Sequence, residues 1–408
     1  MKILFVNKFF YLNGGSERIF FQERNFFLSQ GHKVIDFSMM DSRNSFSPFS
    51  DFFISNINYY KSGGWLSKIR QGVNFIHSSE SVQKISQLVV REQPDIAHLH
   101  NIYHQLTPAI IPTLKRYGVK VVMTLHDYKL VCPSYLAMKE GRLCMDCNGK
   151  SFLKPLTSNC QGSIAKGLLL CTEALWHELR KSYDAVDLFI SPSLFLANLT
   201  TKRITANKIR ILHNGIDVTK YKPCYTNNGY GLYFGRLSQE KGIETLLNAH
   251  AALTNPYPLK IVGTGPLDRE LRSSITNAVF LGYKTGLELE DLIANAAFVI
   301  VPSECYENCS MVVLESMAYG KPVIGSRVGG IPEQIEDGKT GFLFEMGNVN
   351  ELAAKIELLS TQPDLGVKMG QAARRKIKNE YSLEDHCEGV LKIYKDVIGR
   401  KISRSNLT

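Results

Sequence analysis

Short apolar segments alternate with longer amphipathic segments along most of the chain. The apolar segments have the length of buried strands, and the amphipathic segments repeat with the period of a helix. In the first half, this pattern predicts helices at 16–29, 78–92 and 107–117, and strands at 2–6, 34–37, 95–100, 119–126, 187–191 and 209–213. Strands separated by helices in this order favour a parallel, doubly wound α/β sheet.

The second half repeats the pattern. Helices are predicted at 243–253, 287–295, 311–319 and 350–360, and strands at 231–235, 259–263, 278–281, 298–301 and 322–325. A chain of 408 residues exceeds one core of ordinary size, and the Pro- and Asn-containing segment 221–228 is the best linker candidate. We therefore expect two Rossmann-like domains, 1–205 and 206–382, that face each other across a cleft.

One segment combines a predicted strand at 298–301, a polar turn and a helix that begins at about Met311. Glu307 lies in the turn and Glu315 in the helix, so the two carboxylates need not face each other as acid and base. A carboxylate can accept two hydrogen bonds from a vicinal diol, and the amides of residues 309–312 at the helix start favour phosphate. The segment therefore predicts a site for a phosphorylated, hydroxyl-rich ligand.

Two cations follow the first strand of the second half. Arg236 and Lys241 lie in the segment GRLSQEKG, between Gly235 and Gly242. Arginine offers a bidentate fork to phosphate and lysine a point charge, and both would lie beside a helix N-terminus. They are either ordinary surface charges or ligands for a pyrophosphate, and their place at the end of a parallel strand favours the second interpretation.

Composition and charge limit the classes of partner. An apolar content of 44% and a charged content of 21% are typical of a soluble globular protein. Because we find neither a membrane-spanning segment nor a signal peptide, we expect a cytoplasmic protein. The net charge of +10 is concentrated in residues 1–205, with 24 Lys and Arg against 15 Asp and Glu. This half has either an anionic partner or a solvated basic surface, and no signature supports nucleic acid.

The ordered set of motifs resembles the family 4 glycosyltransferases of the GT-B fold. The resemblance covers most of the chain and rests on GGSE at 14–17, TLHD at 124–127, NGID at 214–217, GRLSQEKG at 235–242, GTGP at 263–266 and ENCSMVVLE at 307–315. It implies transfer of a sugar from a nucleotide diphosphate donor with retention of anomeric configuration and without a catalytic metal. The donor would bind the C-terminal domain, and the acceptor the N-terminal domain.

The resemblance also implies roles for individual residues. His126 would lie against the donor sugar, Arg236 and Lys241 would neutralise the diphosphate, Glu307 would hold the sugar and Glu315 the ribose. The chain departs from the family pattern at Asn308 and Cys309, where a glycine and an aromatic residue are more usual. The implied donor-binding residues are Gly15, Gly265, Asn308, Cys309, Ser310, Met311, Val312 and Glu315.

Five of the nine cysteines lie between 132 and 171. Four of them have the spacing C-x11-C-x2-C-x12-C, and they are Cys132, Cys144, Cys147 and Cys160. In a cytosolic protein this pattern favours a structural Zn²⁺ site over disulfides, with free thiols or redox chemistry as the alternatives. A similar insertion occurs in some polysaccharide-building members of the family.

Four further features carry expectations, and two of them have two interpretations each. Residues 61–77 place Trp65, Ile69, Val73 and Ile76 at helical spacing near Lys61, Lys68 and Arg70, as in an interfacial helix on anionic lipid or in a core-facing helix. The aromatic segment 41–60 is predicted as an irregular insertion beside an acceptor. His98, His100 and His104 either line the cleft or are structural. A last helix at 382–398 is expected to return to the first domain, to which residues from about 383 to 408 would belong.

These features favour a retaining glycosyltransferase that acts on a glycan or lipid-linked acceptor in surface polysaccharide biosynthesis. A lipid-linked acceptor would place the basic half at the inner membrane face. The alternatives are a sugar-nucleotide epimerase of the same fold and a non-catalytic nucleotide-sugar-binding protein.

Overall fold

The computed structural model describes residues 1–59, 64–274 and 277–399. Its first sheet is parallel and six-stranded, in the order β2-β1-β3-β4-β7-β8, and β5 and β6 form a separate antiparallel hairpin. The strands of this half are β1 (Lys2–Val6), β2 (Lys33–Phe37), β3 (Ile96–Leu99), β4 (Lys120–Thr124), β5 (Met138–Lys139), β6 (Arg142–Leu143), β7 (Leu188–Ser191) and β8 (Ile209–Ile211).

Helices cover both faces of this sheet. Along β1, Leu4 and Val6 join one core cluster, and Ile3 and Phe5 join another on the opposite face. Successive strand residues point to opposite faces, which explains why the strand is a continuous apolar run. The helices are α1 (Gly15–Ser29), α2 (Trp65–Ile76), α3 (Ser79–Glu92), α4 (Ile110–Arg116), α5 (Lys154–Thr157), α6 (Ile164–Leu179) and α7 (Leu194–Thr200).

The second half forms another parallel six-stranded sheet, in the order β11-β10-β9-β12-β13-β14. Its strands are β9 (Gly231–Phe234), β10 (Leu259–Val262), β11 (Val279–Gly282), β12 (Phe298–Val301), β13 (Val323–Ser326) and β14 (Gly341–Phe344). Its helices are α8 (Ile243–Ala251), α9 (Asp268–Ser274), α10 (Gly286–Ala294), α11 (Met311–Ala318), α12 (Ile331–Gln334), α13 (Val349–Thr361), α14 (Pro363–Glu380) and α15 (Leu383–Gly399). The two parallel sheets confirm the predicted α/β architecture.

Helix α15 follows the second sheet but packs on the first. Val390, Tyr394 and Val397 lie in the same core cluster as Ile3 and Phe5 of β1. The end of the chain beyond 399 lies outside the described residues. The two halves are therefore joined both by the chain that precedes β9 and by this returning helix.

The predicted division at 205 does not match the first sheet. Strand β8 pairs with β7 in parallel, from Phe189 opposite Ile209 to Ser191 opposite Ile211. The first sheet therefore extends to Ile211. The second sheet begins only at Gly231.

The segment predicted as an insertion beside an acceptor contributes mainly to the core of the first half. Phe49, Phe53 and Ile54 are buried, and Ile54 forms a bridge with Met39 next to β2. Phe46 is exposed, and residue 60 lies outside the described residues. The aromatic content of this segment is thus explained by packing and gives no support to an acceptor site.

Helix α2 exposes two apolar side chains on one side and packs against the first half on another. Ile69 and Val73 are exposed, whereas the Phe75 ring stacks on His104 at a centroid distance of 3.8 Å. Lys61 and the side chain of Trp65 lie outside the described residues. Within the described ranges, no helix is long and apolar enough to cross a membrane.

A buried carboxylate joins the first helix to the last one. Glu23 Oε1 lies 2.9 Å from His386 Nε2, and Glu23 Oε2 lies 3.1 Å from His98 Nδ1 and 3.6 Å from His100 Nε2. Burial on its own raises the pKa of Glu23, but the charges and hydrogen bonds of these histidines outweigh it, and the pKa lies well below its usual range. This anion therefore ties α1, β3 and α15 together.

Replacing this carboxylate should destabilise the protein. Glu23→Ala leaves the three buried imidazoles without their anion, and we expect a loss of about 3–5 kcal/mol in the free energy of unfolding. Urea denaturation followed by circular dichroism measures it. Asn25→Ala, at an exposed position of the same helix, is the control, and equal stability of the two variants would contradict this role.

Candidate functional site

A half-buried ion pair connects the loops that follow β9 and β12. Lys241 Nζ lies 2.7 Å from Glu307 Oε1, which also accepts a hydrogen bond of 2.9 Å from Ser303 Oγ. The Glu307 charge raises the pKa of Lys241 above its usual value. Burial raises the pKa of Glu307, but Lys241 and Ser303 outweigh it and hold that pKa below its usual range. Both groups are therefore charged at neutral pH.

Close backbone contacts hold these loops in place. Gly242 has a φ of 67°, and a Cβ there would lie 1.7 Å from the Pro302 carbonyl oxygen. A Cβ on Gly265 would lie 2.2 Å from the Leu237 carbonyl oxygen. No larger residue fits at either position. Gly242 allows the loop after β9 to pack against the loop after β12, and Gly265 allows the loop after β10 to pack against the loop after β9.

Arg236 lies at the start of the same loop with a free side chain. It is exposed, and its guanidinium group makes no hydrogen bond or ion pair within the described part of the chain. Arg236 and Lys241 both lie in the loop that follows β9. This loop therefore offers one cation, Lys241, that is held by an ion pair and another, Arg236, that is available to an anionic ligand.

The amides at the start of α11 are only partly free. Ser310 N–H donates to Gln334 Oε1 at 2.9 Å, and Gln334 Nε2 lies 3.6 Å from Cys309 Sγ. Met311 and Val312 follow in the first turn of the helix, where backbone N–H groups have no partner inside the helix. Of the predicted group 309–312, the Ser310 amide is therefore already used, and Met311 and Val312 remain candidates for phosphate.

The first helix of the chain reaches the start of α11. A Cβ on Gly15 would lie 3.3 Å from Met311 Cγ. Arg18, one turn further along α1, forms an ion pair with Glu315, whose carboxylate is largely buried. The pair places Glu315, the residue predicted to bind the ribose, against the N-terminal half. Arg18 belongs to none of the motifs, so the sequence pattern does not identify it.

Asn308 connects the two halves directly. Its Nδ2 donates to the Leu125 carbonyl oxygen at 3.0 Å, and its Oδ1 accepts from Ser193 Oγ at 2.8 Å. Glu333 adds a second link, since its two oxygens accept from the N–H groups of Leu194 and Phe195 at 2.7 and 2.8 Å. In this arrangement both hydrogen-bonding ends of the Asn308 side chain are used between domains.

His126 lies at the end of β4, next to the cleft. Its Nε2 lies 2.8 Å from His100 Nδ1, which connects it to the Glu23 group. Burial lowers the pKa of His126 to about 4, so the imidazole is neutral at pH 7. Burial also raises the pKa of the adjacent Asp127 to about 6.

His98 on β3 and His100, which directly follows this strand, are structural. Both are fully buried, so of the two interpretations the one that places them along the cleft is wrong for both. Strand β3 is covered on this side by α1 and α15, which the local pattern of β3 cannot reveal. His104 is packed against Phe75.

Two groups of side chains are candidates for a metal. Within the described residues, Glu23, His98 and His100 place ligand atoms within 4.8 Å of one another. His98 Nδ1 and Nε2, however, already lie 2.6 Å from the Tyr394 hydroxyl and 2.7 Å from Thr124 Oγ1. This group is therefore a hydrogen-bonded cluster.

The second candidate is the predicted cysteine set, whose members are free thiols. Cys147 lowers the pKa of Cys132, and Cys132, Cys144 and Cys160 all raise the pKa of Cys147, so the four side chains lie near one another. Within the described residues, however, only the Glu23 group has its ligand atoms within 4.8 Å of one another. The insertion therefore brings the four cysteines into one region without gathering their sulfur atoms at ligand spacing.

Solved structures define the fold class. HepE of Anabaena, crystallised in complex with UDP, superposes with a TM-score of 0.69 at 18% sequence identity, over 97% of this chain and 100% of that one. Two facing Rossmann-like domains with a returning C-terminal helix constitute the GT-B fold.

The family follows from the sequence comparisons. The model of Glycosyltransferase Family 4 matches residues 13–220, half of the chain, and the model of Glycosyl transferases group 1 matches residues 229–362. The chain belongs to glycosyltransferase family 4.

Two relatives show how far the similarity extends. The chain is 31% identical to sulfoquinovosyl transferase SQD2 of Arabidopsis thaliana over 222 residues, which are 50% of this chain but 43% of that protein. It is 25% identical to N-acetyl-alpha-D-glucosaminyl L-malate synthase of Bacillus anthracis over 336 residues, 77% of this chain and 78% of that protein.

The contact between the halves can be tested at Asn308. Asn308→Ala removes both interdomain hydrogen bonds of this side chain, so we expect a more open average arrangement and a larger radius of gyration by small-angle X-ray scattering. Asn248→Ala, at an exposed position of α8, should leave the radius unchanged. Identical scattering from both variants would show that Asn308 does not hold the halves together.

Proposed function

We propose that the protein is a retaining glycosyltransferase that takes its sugar from a nucleotide diphosphate donor. The observation that carries the proposal is the Lys241–Glu307 ion pair at the cleft edge of the second sheet, beside Arg236, whose side chain is exposed and has no partner among the described residues. Departure of a nucleoside diphosphate leaves negative charge, which two cations and helix amides can stabilise. Membership of the family supports retention and the donor class.

The remaining residues surround this centre in a consistent way. Within the described residues, the two hydrogen bonds to the Glu307 carboxylate both use Oε1, which leaves Oε2 for a hydroxyl of the donor sugar. Met311 and Val312 would direct their amides at the diphosphate near Gly15. Glu315 would accept the ribose hydroxyls once a donor displaces Arg18. Neutral His126 would contact the sugar from the first domain.

The central test uses a panel of nucleotide sugars with the wild-type protein and Lys241→Ala. We expect thermal stabilisation and slow release of nucleoside diphosphate from one donor. The substitution should lower kcat/KM by about 10²–10³, because it removes charge stabilisation of the leaving group. Lys368→Ala, at an exposed position of α14, is the control.

Other outcomes would contradict the proposal in distinguishable ways. Conversion of the donor to an epimer without a transferred or hydrolysed sugar would indicate an epimerase. Binding of a donor without release of nucleoside diphosphate, with or without glycan acceptors, would indicate a binding protein. Unchanged donor affinity in both Lys241→Ala and Glu315→Ala would refute the site assignment.

We also propose that the acceptor is a lipid-linked glycan of surface polysaccharide biosynthesis, reached at the cytoplasmic face of an anionic membrane. The support is an exposed apolar surface on α2 and α6, here called the α2–α6 face. Helix α6 contributes a stripe of four side chains at helical spacing, whose exposed fractions range from 38% for Leu175 to 82% for Leu179. The stripe comprises Ile164, Leu168, Leu175 and Leu179.

The two helices of the α2–α6 face are packed together and flanked by cations. His177 Nε2 lies 2.9 Å from the Ile76 carbonyl oxygen, and Ile69 and Val73 of α2 are exposed as well. The exposed cations on these helices and directly after α6 are Lys68, Arg70, Lys166, Arg180 and Lys181. An apolar stripe bordered by positive charge suits the interface of an anionic bilayer.

Vesicle co-sedimentation tests the α2–α6 face. We expect salt-dependent binding to vesicles that contain phosphatidylglycerol, and a several-fold loss in the double variant Leu168→Glu and Leu175→Glu, since charges oppose burial in lipid. Leu287→Glu, at a position with 83% exposure in the other half, is the matched control. Equal binding to neutral vesicles, or an unaffected double variant, would remove this part of the proposal.

A further inference from the structure

The segment between β4 and α6 has little regular structure for its length. Over residues 125–163 it contains the two-residue strands β5 and β6 and the four-residue helix α5. Several non-glycine residues in it have the left-handed backbone conformation, which is unfavourable for them. They are Tyr135, Ala137, Glu140, Asn148 and Asn159, with φ values from 46° to 58°. Such a segment needs cross-links other than a sheet or a helix pair.

Cysteines occupy the turns of this segment. Cys132 comes before the β5–β6 hairpin, Cys144 directly after it, Cys147 one turn further and Cys160 after α5. Cys144 N–H donates to the Ala137 carbonyl oxygen at 2.8 Å and thereby extends the hairpin. The four thiols thus come from separate turns of one small unit.

Two of the four cysteines lie in the interior of this unit. Cys132 and Cys147 are both buried, and the Cys132 sulfur lies 3.1 Å from Ser134 Oγ. A polar neighbour that can hydrogen-bond to the sulfur is the kind of partner that supports a metal-bound thiolate.

We propose that Cys132, Cys144, Cys147 and Cys160 bind one Zn²⁺ ion as four thiolates. Tetrahedral coordination by four sulfurs is the usual structural zinc site, and the C-x2-C pair at 144 and 147 has the spacing of such sites. Binding would draw the four sulfurs from their separate turns onto the ion, with release of the thiol protons. The ion would cross-link all turns of the segment.

The zinc-bound segment also lies against the candidate donor loops. A Cβ on Gly141, in the hairpin turn, would lie 2.7 Å from Oε1 of Gln239, which belongs to the loop of Arg236 and Lys241. Leu143 of β6 packs on the core of the second half, as does Tyr306, the neighbour of Glu307. The hairpin therefore reaches across the cleft to both loops, and zinc would fix it there.

Metal content is the first test. The purified wild-type protein should contain one zinc per chain by mass spectrometry of the metal, and Cys147→Ser and Cys160→Ser should lose it. Cys224→Ser, outside the segment, should keep it. Cobalt substitution of the wild-type protein, which needs no variant, should give the absorption of a tetrahedral cobalt–thiolate site. A wild-type protein without zinc after growth and purification with zinc, or one that holds iron instead, would overturn the assignment.

The second test concerns the position of the hairpin. It measures hydrogen exchange and the affinity for the donor, and the second of these measurements rests on the proposed function. Removal of zinc by a chelator should increase hydrogen exchange in residues 132–160 and in the Gln239 loop, and weaken donor binding about tenfold, because the loop loses its preorganisation. Zinc loss without change in the Gln239 loop would refute the cross-cleft role. If zinc is bound but no nucleotide sugar binds, the proposed function fails while the zinc site stands.

Discussion

The candidate site depends on the ion pair between Lys241 and Glu307. Strands β9 and β12 are neighbours in a parallel sheet, so the loops after them leave the same edge, and the pair fixes one loop to the other. Taking two charges out of water is costly unless they meet each other and further hydrogen-bond partners. Ser303 and the glycine contacts at Gly242 supply the packing that keeps this geometry. A ligand with concentrated negative charge is the natural complement to the cations left at this edge.

A second polar group controls how the first half meets that edge. Glu23 and its histidines tie α1 to α15, and His386 Nδ1 also lies 2.7 Å from the His213 carbonyl oxygen in the segment that leads to the second half. The same group reaches His126 through His100. The side chain that would contact the donor sugar therefore shares hydrogen bonds with the elements that join the domains. Asn308 and Arg18 add direct contacts across the cleft.

The local pattern of apolar and polar residues predicts those features of the fold and the site that depend only on neighbouring residues in the chain. The strand ends that carry Arg236, Lys241 and Glu307 lie where the alternation of apolar and polar segments puts them, because carboxyl ends of parallel strands share an edge. The burial of His98 and His100 depends on two helices from opposite ends of the chain, and no pattern in β3 reveals it. The contacts of Asn308 and the pairing of Arg18 with Glu315 depend on how the two halves meet. Strand β14 was not predicted, since its four residues follow a helix of only four residues.

Hydrogen exchange with and without nucleotide tests the central claim most directly, namely that the donor diphosphate binds between the loops joined by Lys241 and Glu307. The measurement compares the protein alone with the protein saturated by the nucleoside diphosphate that gives the largest thermal shift. The account predicts added protection in residues 236–243 and 307–315, and in 13–18 of the first half. Protection elsewhere with these segments unchanged, or no response to any nucleotide, would contradict it.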